Sequence, residues 1–395
     1  MISMITRSHR LLPALVLTLT IWRPCPASAQ PSRQVQPLYH VQGTGKQGVV
    51  GLTPAQIKVA YGFDRISNEG KGQTIAIVVA FDDANIEHDL AVFNKQFDLP
   101  ACTTANGCFR KIDMSGGKQD SLWSLETALD VEWAHAIAPK AKIVLVEAAA
   151  ATINSLMAAV DIAVRPPYSA SVVSMSWGGL EWPTESAEED GHFVGANVTF
   201  FAAAGDSGHG TLYPAASPYV MSVGATTLHV DQDGNHLDEK AWSGSGGGLS
   251  PFEKEPPYQV AYPIPNNPQH LRGIPDVAYV GNPNTGVAVY DSVPFAGSAG
   301  WFEVGGTSVG PPQWAALVAI ANSMRQPTKP ALTGSQGVLY DAAQDYDGNE
   351  TYNDIVKGRN GSCGKLCKTK PDYDYVTGLG TPQADLLIRA LKRLR

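Results

Sequence analysis

The sequence predicts an α/β fold, a parallel sheet flanked by helices on both faces, and three observations carry that expectation. Strand-like and helix-like runs alternate along the chain. One apolar run, Val198–Ala204, ends in a Gly-bounded turn, and open α/β sheets bind ligands beyond the carboxyl ends of such strands. The 395 residues are ample for one large core, and α/β folds of this size can stay one domain.

The elements follow in order. Residues 1–29 carry Arg7 and Arg10, an apolar run from Leu11 to Trp22, and Ala27-Ser-Ala29, the layout of a signal peptide cleaved near Ala29. Residues 30–50 are polar and read as a flexible N-terminal arm, and 51–395 as one large domain. Strands are expected at Thr74–Phe81, Lys142–Glu147, Ser171–Trp177, Val198–Ala204 and Tyr219–Thr226. Helices are expected at Ile86–Phe97, Leu122–Ala136, Ile153–Val164, Glu185–Ala196 and Pro311–Ser323. In the second of these, Leu122, Leu125, Leu129, Trp133 and Ala136 repeat at helical spacing, and Ala138-Pro139 ends the run. Gly244–Gly248 and the Pro-rich stretch 251–268 read as surface loops.

Composition favours export. The formal charge of −8 becomes −11 once the three arginines of residues 1–29 are removed, which argues against nucleic acid as a partner. No second run is long enough to span a membrane. Beyond Cys25, four cysteines remain, pairing most simply as Cys102–Cys108 and Cys363–Cys367. A four-cysteine zinc site is the alternative, but C-x-x-C pairs are absent. The expected location is secreted or periplasmic, where disulfides persist.

Three segments bear chemistry. Ser308 sits in Gly305-Gly-Thr-Ser-Val-Gly-Pro-Pro312 at the mouth of a helix. Proline suits the first helical turn, and the helix N-terminus favours negative charge developing beside the serine. Gly306-Thr-Ser308-Val-Gly310 also matches the nucleophile elbow G-x-S-x-G, but all nine histidines precede Ser308, so that reading loses its base. Gly205-Asp-Ser207-Gly208 looks like the serine turn of all-β proteases, which the strand–helix alternation contradicts. Glu126 and Asp130 stand four apart on one helix and share a face. Spacing alone favours a solvated acidic face. If buried, the two would share a proton and titrate together. Asp206 sits in the turn after Val198–Ala204, where a plain turn former is the other reading.

Taken in order, Glu126 and Asp130, then Ser174-Met-Ser-Trp-Gly-Gly179, then Ala203-Ala-Gly-Asp206, then Gly305-Gly-Thr-Ser308 resemble the sedolisin family of serine-carboxyl peptidases. The likeness runs from Gly51-Leu-Thr-Pro-Ala-Gln56 to Thr377-Gly-Leu-Gly-Thr-Pro382. It implies a subtilisin-like fold and a secreted, acid-acting endopeptidase forming an acyl-enzyme on Ser308. Glu126 would be the general base, Asp130 its partner through a shared proton, and Asp206 a protonated donor at the oxyanion hole. Tripeptidyl-peptidase specificity and a catalytically silent peptide-binding protein are the alternatives. The resemblance also implies one structural calcium ion, held by side chains of Asp354 and Asp374 and backbone oxygens of Ile355, Lys370 and Asp372. Expected partners are protein or peptide substrates, with no nucleic acid, no membrane anchor and a monomeric state. Family members commonly carry a large prodomain, and a likeness beginning near Gly51 leads one to expect none here.

Overall fold

In the computed structural model, residues 33–43, 45–195, 198–325, 331–332, 337–344 and 350–394 are described. The expected signal peptide lies outside them. A first helix, α1 (Pro54–Tyr61), opens on a reciprocal cap. Thr53 accepts at its side chain from Gln56 N, and the Gln56 side chain accepts from Thr53 N.

The chain then alternates as expected through β1 (Thr74–Ala80), α2 (Ile86–Gln96), β2 (Phe109–Asp113), α3 (Ser121–Ile137), β3 (Lys142–Ala148), α4 (Ile153–Val164), β4 (Val172–Met175) and β5 (Thr199–Ala203). It continues through β6 (Met221–Val230), β7 (His236–Ala241), β8 (Val277–Val280), the hairpin β9 (Val287–Phe295) and β10 (Ser298–Gly305), and α5 (Gly310–Arg325). The central sheet runs β7-β6-β5-β4-β1-β3-β2, with β8 also pairing β6. Every pair is parallel except β6 with β7. This is the subtilisin-like α/β arrangement.

Burial explains why β1 is central. Its residues Ile75 to Ala80 are buried at every successive position, so both faces are covered. Strand order changes direction at β1: β3 and β2 lie to one side, β4, β5 and β6 to the other. That switch makes the carboxyl edge the place for a ligand. Helices α3 and α5 pack against each other there, buried almost all round, as helices inside a large core are. Asp120 caps α3 by accepting from Leu122 N and Trp123 N at 3.0 and 3.3 Å.

The departures have local causes. The helix expected over Glu185–Ala196 is one turn, Glu185–Glu188, followed by a 3-10 turn at Asp190–His192. Gly191 and Gly195 weaken a helix there, and Asp190 is drawn inward to the Tyr213 hydroxyl at 3.1 Å. The strand expected over Ser171–Trp177 leaves the central sheet after Met175, and Trp177–Leu180 joins a separate small sheet. Residues 245–248, expected at the surface, are buried against the 205–210 turn, with Gly246 N donating to Gly205 O at 2.6 Å. Residues 33–41, expected in a flexible arm, are instead part of the ordered unit. Gln36–Pro37 pairs antiparallel with Trp177–Gly178, and His40–Val41 with Val304–Gly305. Both expected disulfides form, Cys102–Cys108 and Cys363–Cys367, with Cα atoms 4.9 and 5.3 Å apart, so these thiols are not zinc ligands.

Candidate active site

Ser308 stands in a short 3-10 turn, Thr307–Val309, between the end of β10 and the start of α5. Gly306 before it has φ +104°, a conformation glycine adopts freely. A methyl group there would meet Leu38 O at 2.4 Å and Asp206 Oδ2 at 2.6 Å, so only glycine admits both oxygens to this space. The Ser308 hydroxyl lies 3.0 Å from Glu126 Oε2 and 3.0 Å from Ser176 O. Among the described residues no histidine bonds it, which removes the elbow reading.

Glu126 and Asp130 lie on the face of α3 that meets this turn, and both are fully buried. The solvated acidic face is therefore excluded. Asp130 Oδ1 accepts from the Ser176 hydroxyl at 2.6 Å. Glu126 Oε1 and Asp130 Oδ2 have no hydrogen-bond partner. Burial raises the Glu126 carboxyl well above its ordinary range, and the charge of Asp130 raises it further. Burial likewise raises Asp130. Two desolvated carboxyls side by side hold a proton rather than two charges.

Asp206 follows β5 and reaches the same turn from the opposite side. Its Oδ1 accepts from Thr307 N and the Thr307 hydroxyl, both at 2.8 Å. Its Oδ2 is left without a hydrogen-bond partner, and His40 Nε2 stands 3.5 Å away. Burial pushes this carboxyl up to about 7, against the lowering effect of the two Thr307 donors. A protonated Oδ2 is therefore available to donate at mildly acid pH.

The cleft beside this site is partly filled by the chain itself. Leu38 N donates to Ser176 O at 3.2 Å, and Leu38 O accepts from Ser308 N at 2.9 Å. Upstream, Val35 N donates to Ala151 O at 3.1 Å. A cavity of about 440 Å³ continues alongside, lined by Leu38, Gly178, Leu180, Asp206, His209 and Leu212 among others.

Sequence reasoning brought Ser308, Glu126, Asp130 and Asp206 forward, and the fold gathers all four. It missed Ser176 and Thr307, which hold the acids in place. Ser176 lay inside the Ser-Met-Ser-Trp-Gly-Gly run, so its motif was visible though its contact was not. It also missed Leu38, which has no local signal.

Two groups bear on metals. In the expected calcium segments, Asp354 Oδ2 accepts from Asp372 N at 3.0 Å, and Asp374 Oδ2 from Lys370 N at 3.1 Å. Asp374 Oδ1 accepts from Val376 N and Thr377 N at 2.8 and 2.9 Å. The two loops thus meet, and among the described residues no lysine or arginine pairs with either carboxylate. Both oxygens of Asp374 and one of Asp354 thus already face backbone N–H donors, while carboxylates and carbonyls are the oxygen donors calcium takes. The second group is Asp82, Asp113 and Glu147, whose oxygens lie within 4.8 Å of one another at the carboxyl ends of β1, β2 and β3. Lys111 Nζ already contacts Asp82 and stands 3.4 Å from Glu147 Oε2, supplying positive charge where a metal would.

Comparison with known proteins places this geometry. A family model described as the subtilase family matches residues 115–358. Kumamolisin of Bacillus sp. (strain MN-32) is 31% identical over 370 residues, covering 86% of this chain and 63% of that protein. Tripeptidyl-peptidase 1 of Dictyostelium discoideum is 25% identical over 396 residues, covering 92% and 62% respectively. The chain thus spans under two thirds of the length of both relatives. The solved structure of Pseudomonas sedolisin, a serine-carboxyl proteinase complexed with two molecules of pseudo-iodotyrostatin, superposes with a TM-score of 0.72. That match has 23% identity and covers 87% of this chain and 98% of that one, a likeness of fold.

Proposed function

The chain belongs to the subtilase family, in its sedolisin branch, and from that premise we propose that it hydrolyses peptide bonds through an acyl-enzyme on Ser308. The observation that carries this reading is the contact between the Ser308 hydroxyl and Glu126 Oε2 at 3.0 Å, inside a buried acid pair. Glu126 takes the serine proton and returns it to the leaving amine. Asp130, fixed by Ser176, shares a proton with Glu126 and keeps its oxygen aimed at the nucleophile. Ser308 N–H and protonated Asp206 donate to the oxygen that becomes negative. A donor of this kind contributes about 3–4 kcal/mol in the transition state. With Asp206 pushed up to about 7, the donor is present from acid to near-neutral pH and lost above it.

An endopeptidase is favoured over tripeptidyl cleavage. The cleft accepts chain on both sides of the serine. On the acyl side, Gln34 still bridges Thr152, four residues before Leu38. A site that releases tripeptides has to close off the substrate after its third residue. Substrates are proteins or peptides. Among the described residues no helix is long and apolar enough to cross a membrane. Export, with removal of residues 1–29, is supported by the signal-like N-terminus and the two disulfides. Asp354 and Asp374, with carbonyls of Ile355, Lys370 and Asp372, would hold one calcium ion whose part is to fix these loops.

The test is cleavage profiling of a peptide library between about pH 3 and pH 8, with Ser308→Ala as control. Turnover that persists in the control, or equals the acid value at pH 8, overturns the mechanism. Binding of peptides with no turnover at any pH would favour the silent binding protein instead.

A further inference from the structure

The far end of the nucleophile's helix carries a charge pattern that peptide hydrolysis does not use. The chain has a formal charge of −8, yet its stretch 384–395 holds four cations, Arg389, Lys392, Arg393 and Arg395, against one acid, Asp385. The C-terminal helix, Ala384–Arg393, buries Leu387, Ile388 and Leu391 and packs on α5, so its apolar face is already covered. Arg389, Lys392 and Arg393 stand three and four residues apart and share its exposed face.

Other segments bring two more cations to the same place. Arg325 ends α5 and is buried, its Nη1 donating to Leu391 O at 2.6 Å and Leu394 O at 2.9 Å. Arg65 ends the 3-10 turn Phe63–Arg65, with Asp385 Oδ1 3.7 Å from its Nη1. Between these segments lies a cavity of about 510 Å³. Five of the nine residues lining it are these cations, and none is an acid. Asn68 lines it too, and its Oδ1 accepts from the Ser323 hydroxyl of α5.

Cations in the last turn of a helix are ordinary, because that end carries partial negative charge. Cations from three separate segments around one volume need another account. Like charges held this close repel, and among the described residues Arg389 and Lys392 pair with no carboxylate. An anion with several charges would relieve that repulsion. The volume is that of a small-molecule site. Arginine forks match the oxygens of carboxylates and phosphates alike. A carboxylate offers two oxygens in one plane, whereas a phosphate offers oxygens to several segments at once. Screening over about 8 Å at physiological salt lets this local charge act despite the acidic surface elsewhere.

We propose that this cavity binds a small multivalent phosphate anion, a diphosphate or a phosphate ester in free solution. It lies about 24 Å along α5 from the end that carries Ser308, so the anion touches no reacting atom. Binding ties α5, the C-terminal helix and the turn Phe63–Arg65 together. The inference stands independently of the peptidase reading.

The test is calorimetric titration of the full chain with sodium pyrophosphate at about pH 7, where lysine and arginine are charged. EDTA is present throughout, so that chelation of calcium by pyrophosphate plays no part. A saturable site is expected. Arg389→Ala combined with Lys392→Ala should weaken it about tenfold or more, since two charge-assisted contacts are lost. Both side chains are exposed, so the melting temperature without pyrophosphate should hold. Lys95→Ala combined with Lys240→Ala removes the same charge from exposed positions elsewhere and should leave the affinity unchanged. Equal weakening by the two double variants, or no saturable site, overturns the proposal. Sedimentation with phosphatidic acid vesicles that pyrophosphate fails to displace overturns it too, because the partner is then a lipid surface. Peptide turnover, read separately, should be the same in all three proteins, so failure here leaves the peptidase reading untouched.

Discussion

Two buried pairs in this molecule have the same spacing and opposite meaning. Glu126 and Asp130 stand four residues apart and fully buried, and so do Arg272 and Asp276. Arg272 binds Asp276 through both nitrogens, Nη1 to Oδ1 at 2.6 Å and Nη2 to Oδ2 at 2.5 Å. Ser222 N and the Tyr340 hydroxyl also donate to Asp276, at 2.7 and 2.6 Å. Its charge is fully met, and the pair can only hold the fold. Among the described residues, one oxygen on each member of the acid pair has no hydrogen-bond partner, and no lysine or arginine pairs with either. It keeps a proton that can move. Burial alone therefore does not make a site; what sets the acid pair apart is the serine hydroxyl resting on Glu126.

The largest expected effect strikes the acid pair. Glu126→Gln keeps the shape and removes the proton acceptor. Turnover should fall by about 10²–10⁴, with the melting temperature nearly unchanged. An active Glu126→Gln protein would erase the contrast, since the acid pair would then be structural like the other. Arg272→Met is the mirror case. It leaves Asp276 buried and unpaired and should cost about 3–5 kcal/mol in urea unfolding. The fraction that remains folded should keep its turnover per active site, measured by covalent titration of Ser308.

Asp206→Asn sharpens the comparison. An amide donates without needing acid, so this variant should keep part of its activity and lose the fall in turnover as pH rises through about 7. Collapse at every pH would mean that Asp206 also acts on Glu126 by charge. Stability gives a broader test. Burial raises Asp206 and Asp83 to about 7 and Asp291 to about 8, above their unfolded values. The folded state then binds more protons than the unfolded one. This stabilisation is complete below the unfolded range, near about 4, and is lost as pH rises toward about 8. The melting temperature should follow it downward over that window.

The smallest effect concerns calcium. If Asp354 and Asp374 hold an ion, chelator should remove the mass-action stabilisation, about 2.7 kcal/mol at a hundredfold excess over Kd, and so lower the melting temperature. Asp354→Ala should abolish that response and leave low-temperature turnover close to normal. An unchanged wild-type melting temperature in chelator means these loops carry no metal.

Much of this was legible in the sequence for a physical reason. The strand Thr74–Ala80 is apolar at each position from Ile75 on, and α3 repeats its leucines at helical spacing, so the pattern found them. The four site residues stood in recognisable runs. The illegible parts depend on backbone pairing, which takes little notice of side chains. Residues 33–41 fall in the stretch 30–50 that reads as a polar arm, yet they are ordered by N–H and C=O groups meeting Trp177–Gly178 and Val304–Gly305 and by burial of Val35 and Leu38. Likewise Phe109–Asp113 carries two cations and an acid, and is a strand because β3 beside it pairs with it throughout. Ser176 and Thr307 could be seen in the text of the chain, but their aim could not.

The added strand at Gln36–Pro37 has a consequence for kinetics. A segment tied to the cleft is present there at an effective concentration on the order of millimolar for a short tether, whatever the protein concentration. A free peptide must displace it before it can be cut. Occupancy of the cleft by the segment is therefore the same in dilute and concentrated solution, and a free peptide should compete against it equally at every protein concentration.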